Sequence, residues 1–357
     1  MSPAAAAVSS EESTAPRRDL AALPKAHLHL HFTGSMRVAT LQDLAAHRGI
    51  RLPSSLTDDV ALRVEPTARG WFRFQRQYDA ARQVVRDEEA LRRTMREAVE
   101  DDAAEGSGRL ELQVDPTSYA PHVGGLTPAL EIILDEAAAA ERDTGVSVGL
   151  IVAASRIRHP LDARTLARLA VRHAGRVVGF GLSNDERRGI TEEFAPAFRI
   201  ARAAGLASVP HGGELLGPAH VQEVLRTLRP DRLGHGVRAA EDPQLLTRIV
   251  EAGVALEVCP ASNASLGVYP TAQDVPLRTL LDAGATIALG ADDPLLFGSR
   301  LVAQYETARA MGLSDDELAD LAAGSVRASR APHDVVARLL DGIEQWRRTP
   351  PGSTSPD

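Results

Sequence analysis

The amino-acid sequence predicts a (β/α)8 barrel, in which eight parallel strands alternate with helices. Eight short, mostly apolar runs of β-forming residues are separated by longer stretches of helical composition. Most of these runs are flanked by Gly, Pro or Asp, which is typical of buried parallel strands. The length of 357 residues fits a single barrel domain. A doubly wound open sheet is the alternative architecture for the same alternation.

The predicted elements follow one another along most of the chain. Strands are predicted at residues 26–32, 109–114, 146–153, 177–182, 207–211, 232–236, 255–259 and 286–290. Helices are predicted at residues 128–144, 161–174, 219–228 and 243–252, and several begin at Pro or Asp and end near Gly. We expect the barrel domain to span residues 20–347, with disordered tails at residues 1–19 and 348–357.

A long insertion, about residues 35–108, separates the first two predicted strands and is helical in composition. It contains a concentration of aromatic residues at Trp71, Phe72, Phe74 and Tyr78. One interpretation is an amphipathic helix that packs on the barrel. The other is a lid over the barrel mouth, because segments inserted after a barrel strand lie at the catalytic face.

Composition excludes several classes of protein. The net charge of -8 argues against a nucleic-acid-binding surface, which would be basic. The single cysteine, Cys259, excludes an internal disulfide and a cysteine-based zinc site. It also favours a reducing, cytoplasmic compartment. No apolar run approaches the length needed to cross a membrane, so we expect no membrane partner.

Three histidines alternate within the first predicted strand, at His27, His29 and His31. Alternate side chains of an extended strand share one face, so the three imidazoles are predicted to point the same way. Imidazoles clustered on one face suit a divalent transition metal. The spacing alone leaves open whether His27 and His29 or His29 and His31 are the ligand pair.

Further polar residues stand directly after predicted strands five, six and eight. They are His211 and Glu214, then His235, then Asp292 and Asp293. Taken singly, each of these residues could have a purely structural role, as a hydrogen-bonded histidine, a loop residue or a helix-capping Asp. The C-terminal ends of barrel strands converge at one face, where active sites lie. Their joint occurrence therefore predicts an open metal site with separate acid–base groups.

These residues resemble motifs of the adenosine and adenine deaminases in the amidohydrolase superfamily. Residues 24–34 are similar to the motif Pro-Lys-x-Glu-Leu-His-x-His-Leu-Asp/Glu-Gly, with His27 at the position of the motif's Glu. Residues 211–214 resemble His-Ala/Gly-Gly-Glu, residues 234–236 resemble Gly-His-Gly, and residues 292–294 resemble Asp-Asp-Pro. Residues 257–263 match a further stretch after strand seven. The resemblance extends over nearly the whole chain and implies the same barrel.

The resemblance implies hydrolytic deamination at C6 of a 6-aminopurine nucleoside, with water as the nucleophile and ammonia as a product. It implies one Zn²⁺ per chain, although iron or manganese would suit the same ligands. The implied metal ligands are His29, His31, His211 and Asp292. The implied catalytic residues are Glu214, which protonates N1, His235, which takes a proton from the water, and Asp292, which orients it. The implied substrate-binding residues are Asp293 at N7, the loop residues Gly181, Ser183 and Asn184 near N3, and Thr33, Arg73 and Phe74.

Thr33 is the departure that bears on the substrate. Relatives that act on nucleosides carry Asp there, which binds the ribose 5′-hydroxyl, and relatives that act on free adenine often carry Glu. Thr33 suits a substrate whose 5′ carbon bears another group, particularly an anionic one. Aminodeoxyfutalosine, an intermediate of menaquinone biosynthesis, fits this description.

Several alternatives to that substrate remain open. Adenosine or 2′-deoxyadenosine, and free adenine, are the other candidate substrates. A nucleoside-binding relative without activity is a further alternative. A metal-dependent amide or phosphoester hydrolase is disfavoured. Such enzymes often bind two metals through a bridging, carboxylated Lys, and no Lys stands at the end of a predicted strand after Lys25. His27 is predicted to be an additional imidazole that does not bind the metal, or else a polar contact deep in the barrel.

Overall fold

The computed structural model describes residues 17–57 and 60–351, and it confirms the predicted (β/α)8 barrel. Eight strands lie side by side in chain order, and each is parallel to the next. They are β1 (Lys25–His31), β2 (Ser107–Val114), β3 (Ser147–Ser155), β4 (Val177–Ser183), β5 (Ala207–Gly212), β6 (Arg232–His235), β7 (Ala255–Val258) and β8 (Ile287–Leu289). Each predicted strand agrees with the observed bounds to within two residues.

Helices cover the outside of the barrel and its mouth. They are α1 (Val38–His47), α2 (Ala68–Arg82), α3 (Glu88–Ala104), α4 (Leu126–Thr144), α5 (Pro160–Arg172), α6 (Thr191–Ala203), α7 (Pro218–Leu228), α8 (Pro243–Glu251), α9 (Pro260–Ser265), α10 (Leu277–Asp282), α11 (Pro294–Phe297), α12 (Leu301–Ala310), α13 (Asp315–Ala328) and α14 (His333–Arg348). The four predicted helices correspond to α4, α5, α7 and α8. Their ends follow ordinary capping, since the Asp242 side chain caps α8 and Gly145 ends α4 in the left-handed region.

The barrel closes between β8 and β1 through the backbone of Asp292, three residues beyond the end of β8. The Asp292 N–H donates to the His29 carbonyl, and the His31 N–H donates to the Asp292 carbonyl, both at 3.0 Å. This closure fixes the Asp292 backbone between two histidines that are 263 and 261 positions away in the sequence. The contacts that close the barrel therefore also hold Asp292 beside His29 and His31.

A β-bulge in β1 corrects the expectation that three imidazoles share one face. His27 pairs with Leu110 of β2, whereas Leu30, three residues later, pairs with Leu112, two residues later. The extra residue in β1 reverses the alternation of its side chains. As a result His29 and His31 face the barrel interior together, and His27 contacts Asp102 of α3 instead.

The insertion between β1 and β2 is helical, as predicted, and consists mainly of α1, α2 and α3. Helix α2 packs on the barrel through Trp71 and Phe74, and the Phe74 ring stacks on Phe297 with centroids 5.6 Å apart. Phe72, on the other side of α2, is exposed. The helix is thus both a packed element and, as described below, part of the wall of a cavity.

Most of the two predicted tails, residues 1–16 and 352–357, lie outside the described residues. Within the described part, Arg18 donates hydrogen bonds to the carbonyls of Thr349 (2.9 Å) and Arg347 (2.8 Å). Between residues 17 and 351, the described helices include none that is long and apolar enough to cross a bilayer.

Candidate active site

A cavity of about 320 Å³ lies at the C-terminal ends of the strands, with α2 forming part of its wall. This volume is at the lower end of the range for small-molecule sites, roughly 300–1,000 Å³. The cavity lies where barrel enzymes place their active sites. Its lining includes His31, His211, Glu214, Asp292 and Asp293, all of which the sequence had indicated.

Four histidines surround the deep end of this cavity. The ring centroids of His29, His31, His211 and His235 are 4.8–5.2 Å apart in the five pairs that contact one another. Asp292 Oδ1 lies 3.2 Å from His31 Nε2 and 3.7 Å from His29 Nε2. Ligand atoms of His29, His211 and His235 lie within 4.8 Å of one another. This is a compact set of nitrogen and oxygen donors.

The donors of this cluster fit a divalent metal ion. Among the described residues, His29 Nε2, His211 Nδ1 and both ring nitrogens of His235 are buried without a hydrogen-bond partner. Buried polar atoms without a partner are rare, and coordination of a cation satisfies such nitrogens. His29 Nδ1 contacts Glu257 Oε2 at 2.8 Å, which leaves Nε2 with the free lone pair. Nitrogen and carboxylate donors suit zinc and related ions.

The backbone at the cavity is strained. His235, Asp292 and Asn184 have φ angles of 61°, 60° and 80°, in the left-handed region that non-glycine residues seldom adopt. Such conformations cost about 1–3 kcal/mol each and cluster at functional sites. Gly234 permits the close approach of the rings, since a Cβ there would lie 3.0 Å from His211 Nδ1 and 3.1 Å from His29 Cε1.

Burial separates the protonation states of the carboxyl groups in the cavity. Burial, followed by the nearby charge of Asp292, raises the pKa of Glu214 well above its ordinary value. The same two causes raise the pKa of Asp293. Burial disfavours the charged form of Asp292, but the nearby imidazoles of His29 and His31 outweigh burial and hold the pKa of Asp292 well below its ordinary value. Glu214 and Asp293 are therefore suited to carry protons, and Asp292 to remain a carboxylate.

Burial also keeps two of the histidines neutral. It lowers the pKa of His235 to about 3 and the pKa of His211 well below its ordinary value. A neutral imidazole has a free lone pair, so it can accept a proton or bind a metal.

Three further side chains hold these groups in place. Glu186 accepts hydrogen bonds from the backbone N–H groups of Glu214 (3.1 Å) and of the next two residues (both 2.8 Å). Arg156 donates to the carbonyl of His211 at 2.8 Å. Ser262 donates to Asp292 Oδ2 at 2.5 Å. Sequence reasoning assigned no role to these three residues, because each acts through a contact between segments that are distant in the sequence.

The structure brings most of the predicted substrate-binding residues to the cavity: Thr33, Phe74, Ser183, Asn184 and Asp293. Thr33 Oγ1 lies 2.6 Å from the Tyr119 hydroxyl. Asn184 adopts a left-handed backbone conformation, and its side chain donates to Gln75 of α2 at 3.3 Å.

Two predicted residues do not line the cavity. Gly181 lies within the barrel wall, where an added Cβ would be 3.2 Å from the Val209 carbonyl oxygen. Arg73 is half exposed on α2 and pairs with Glu65 at 3.5 Å. The spacing of residues on α2 decides this outcome, because Phe74 and Tyr78 face inward and Arg73 does not.

His27 makes polar contacts away from the histidine cluster. Its Nε2 accepts from the Ala291 N–H at 3.0 Å, so its Nδ1–H donates to Asp102, 2.9 Å away. These contacts join β1, α3 and the segment before Asp292. Of the two interpretations of His27, the polar contact is the one that the structure favours.

Other cavity residues were missed by sequence reasoning. They are Arg82, Gln113, Asp115, Tyr119 and Ser155, among others. The sequence carries a signal for Gln113 and Asp115. Polar residues recur at every second position along β2, at Arg109, Glu111 and Gln113, and Asp115 continues the series.

Comparison with known proteins gives consistent matches along the chain. A family model described as adenosine deaminase matches residues 24–346. A protein of Streptomyces virginiae with the provisional name adenosine/adenine deaminase is 61% identical over 332 residues, which cover 92% of this chain and 98% of that protein. The aminodeoxyfutalosine deaminase of Streptomyces coelicolor is 34% identical over 333 residues, which cover 92% of this chain and 85% of that protein.

Solved structures give the same fold. The adenine deaminase from Arthrobacter aurescens has a TM-score of 0.84 and 29% identity, covering 92% of this chain and 100% of that chain. An amidohydrolase from Burkholderia ambifaria, with bound Zn, has a TM-score of 0.81 and 24% identity, covering 94% and 97%. Because the family model spans nearly the whole barrel and the relatives match it end to end, the chain belongs to the adenosine deaminase family, hydrolases that act on C–N bonds of cyclic amidines.

Proposed function

We propose that this deaminase depends on zinc and acts on a purine nucleoside, removing the 6-amino group as ammonia. The observation that carries the proposal is the convergence of His29, His31, His211 and Asp292 beside Glu214, whose buried carboxyl group has a raised pKa. The zinc bound to the Burkholderia ambifaria relative supports the choice of metal. When bound, such an ion lowers the pKa of a water molecule to about 7.

The residues of the chain account for each proton that the reaction moves. Water adds to C6 of the purine, and His235, kept neutral by burial, accepts a proton from that water. Glu214 supplies a proton to N1, which relieves the charge that builds on the ring. Asp293 Oδ1 has no hydrogen-bond partner among the described residues, and its protonated form donates to N7. The amino group then takes the proton that His235 accepted, the C6–N bond breaks as the new C6 hydroxyl returns a proton to Glu214, and ammonia leaves from the 6-oxopurine product.

Glu186 and Arg156 serve this reaction as positioning residues. Glu186 fixes the backbone of Glu214, and Arg156 fixes the backbone of His211, three residues earlier at the end of β5. A loop without these contacts would let the acid and the ligand move independently. Held together, the two side chains keep the proton donor beside the metal site.

We propose, at a finer level, that the preferred substrate is an adenosine modified at its 5′ carbon, such as aminodeoxyfutalosine. Thr33 pairs with the Tyr119 hydroxyl and presents no carboxylate to the cavity. Arg82, which also lines the cavity, adds a cation 4.7 Å from the Tyr78 ring centroid. The second candidate is adenosine or adenine, which the name of the 61% identical relative favours.

The decisive experiment measures ammonia release from adenine, adenosine, 2′-deoxyadenosine and aminodeoxyfutalosine with the purified, zinc-loaded protein. We expect aminodeoxyfutalosine to have the highest kcat/KM. A higher kcat/KM for adenosine or adenine would refute the 5′-modified substrate and leave the deaminase assignment intact.

A variant separates metal binding from catalysis. Glu214→Gln should retain about one zinc per chain and lose about 10²–10⁴ in kcat, the range for removal of a general acid. Glu136→Gln is a matched control, because Glu136 is also buried but lies on α4 in contact with Arg96 and Arg92. Unchanged kcat in Glu214→Gln would contradict the role of Glu214.

A further inference from the structure

Four charged side chains lie in the interior of the barrel, outside the lining of the cavity, and the proposed chemistry uses none of them. Arg109 and Glu111 belong to β2, Arg232 to β6 and Glu257 to β7, and each is at most 2% exposed. Barrel interiors are ordinarily filled by apolar branched side chains. Well-packed apolar residues are often as stabilising as a buried ion pair, so stability alone does not explain four charges here.

The contacts of Arg232 connect this group of charges to the histidine cluster. Arg232 Nε donates to Glu257 Oε1 at 2.6 Å, and the other carboxylate oxygen, Oε2, contacts His29 Nδ1 at 2.8 Å. Each oxygen of Glu257 therefore has its own partner, and the bond from Arg232 leaves Oε2 turned toward His29. The position of that oxygen orients the imidazole, because Nδ1 contacts it and Nε2 is left for a metal.

Arg232 is itself fixed at three points. Besides the bond from Nε, its Nη2 donates to Glu111 Oε2 at 2.7 Å, and its Nη1 donates to the carbonyl of Ala328 at 3.0 Å. Ala328 is the last residue of α13, on the outside of the barrel. The three nitrogens of the guanidinium group thus bond to β7, β2 and α13. A planar group held at all three nitrogens has little freedom to rotate, so it presents Nε to Glu257 in a fixed direction.

We propose that Arg232 is a positioning residue for the metal site, which sets the orientation of His29 through Glu257 while the end of α13 anchors it from outside the barrel. This inference rests on the proposed function only in taking His29 as a metal ligand. Arg232 does not line the cavity, so its effect passes through Glu257. A lysine at this position would keep the charge, but its single nitrogen could not reach three partners in three directions.

Arg109 offers a matched control within the same group of charges. It is as buried as Arg232 and also contacts Glu111, through Nε at 3.2 Å. It also donates to a main-chain carbonyl just after α13, that of Arg330, at 3.3 Å. The contact with Glu257 is what distinguishes Arg232 from Arg109. If the charges served stability alone, replacing either arginine would leave metal affinity unchanged.

The test compares Arg232→Lys with Arg109→Lys. The zinc affinity of each purified variant is measured by competition with a chromophoric chelator, and its melting temperature is measured without metal. We expect both variants to melt at a lower temperature than the wild type. Only Arg232→Lys should bind zinc more weakly, by about tenfold, the lower end of the range for groups that support a metal ligand. Equal zinc affinity in the two variants would overturn the proposal.

A double-mutant cycle tests whether Arg232 acts through Glu257. In the Glu257→Gln background, Arg232→Lys should lower zinc affinity by less than about threefold, because the contact it acts through is already impaired. A further loss of about tenfold would show a separate route and contradict the proposal. Glu111→Gln is a second variant in case Arg232→Lys does not fold, since it loosens Arg232 at one of its three points. We expect it to weaken zinc binding by about threefold, and unchanged zinc affinity would count against the proposal.

A metal-free measurement separates this inference from the proposed function. Crystal structures of the metal-free variants show the contact between Glu257 and His29 directly. We expect the 2.8 Å contact to persist in Arg109→Lys and to lengthen beyond about 3.5 Å in Arg232→Lys. If the wild type binds no zinc, the proposed function fails, but these crystal structures still test the role of Arg232. An unchanged contact in Arg232→Lys would refute that role.

Discussion

Glu257 offers the sharpest test of how the barrel interior supports the histidine cluster. This carboxylate is fully buried on β7 and contacts two donors, His29 Nδ1 at 2.8 Å and Arg232 Nε at 2.6 Å. Glu257→Gln keeps the shape but has only one acceptor oxygen for two donors. One donor therefore faces an NH2 group, and the orientation and tautomer of His29 are no longer fixed.

Two separate losses follow from this geometry. Loss of a group that orients a metal ligand lowers metal affinity by about 10–100-fold. Stability should fall by about 1–3 kcal/mol, the cost of a buried donor left unsatisfied. The larger penalty of breaking a buried ion pair does not apply in full, because Arg232 keeps Glu111 as a partner at 2.7 Å.

The assay measures zinc affinity by competition with a chromophoric chelator, and stability by thermal unfolding of the metal-free protein. Glu136→Gln is again the control, since it removes a buried carboxylate with two arginine partners far from the cluster. We expect both variants to lose stability and only Glu257→Gln to lose zinc affinity. Equal zinc affinity in the two variants would refute the reasoning.

Three further predictions concern other residues. Glu214 acts in its protonated form and its pKa is raised well above the ordinary value of 4.5. We therefore expect kcat/KM to remain high at pH values above 4.5 and to fall only as the pH rises through the raised pKa. A pH profile of kcat/KM that already falls near pH 4.5 would disprove this. His27→Gln should keep about one zinc per chain, since an amide can both donate to Asp102 and accept from the Ala291 N–H, and metal analysis checks this. Burial lowers the pKa of Lys25 from 10.5 to about 8. Between pH 8 and 10.5 the Lys25 amine therefore binds a proton only in the unfolded chain. The free energy of unfolding should rise in this range by up to about 1.4 kcal/mol per pH unit. Lys25→Met should remove that slope in thermal unfolding measured from pH 8 to 10.

Local sequence was sufficient to predict the eight strands of the barrel and four of its helices. Short β-branched runs bounded by Gly, Pro or Asp, and helices beginning at residues such as Asp242, are patterns that depend on neighbours in the chain. The same reasoning found the polar residues at the ends of β1, β5, β6 and β8. Parallel strands bring those ends to one face, so the sequence alone predicts that His211 and Asp292 lie close together.

The direction of each side chain within these elements was less predictable. Strict alternation placed His27 with His29 and His31, but one extra residue in β1 reversed it. Similarly, Phe74 and Arg73 of α2 were both predicted to bind the substrate. Phe74 lines the cavity, whereas Arg73 lies at the surface and pairs with Glu65. Bulges and helix rotation depend on packing against distant strands, which the local sequence does not encode.

The sequence by itself determined which residue types stand at the strand ends, and with them the class of chemistry. Only the tertiary structure decided which of them meet. The contacts of Glu257 with His29, of Glu186 with the Glu214 backbone, and of Asp292 with β1 join residues that are 28 to 263 positions apart. Only the tertiary structure shows that the Gln113 amide has no hydrogen-bond partner among the described residues, because this depends on everything that surrounds the side chain.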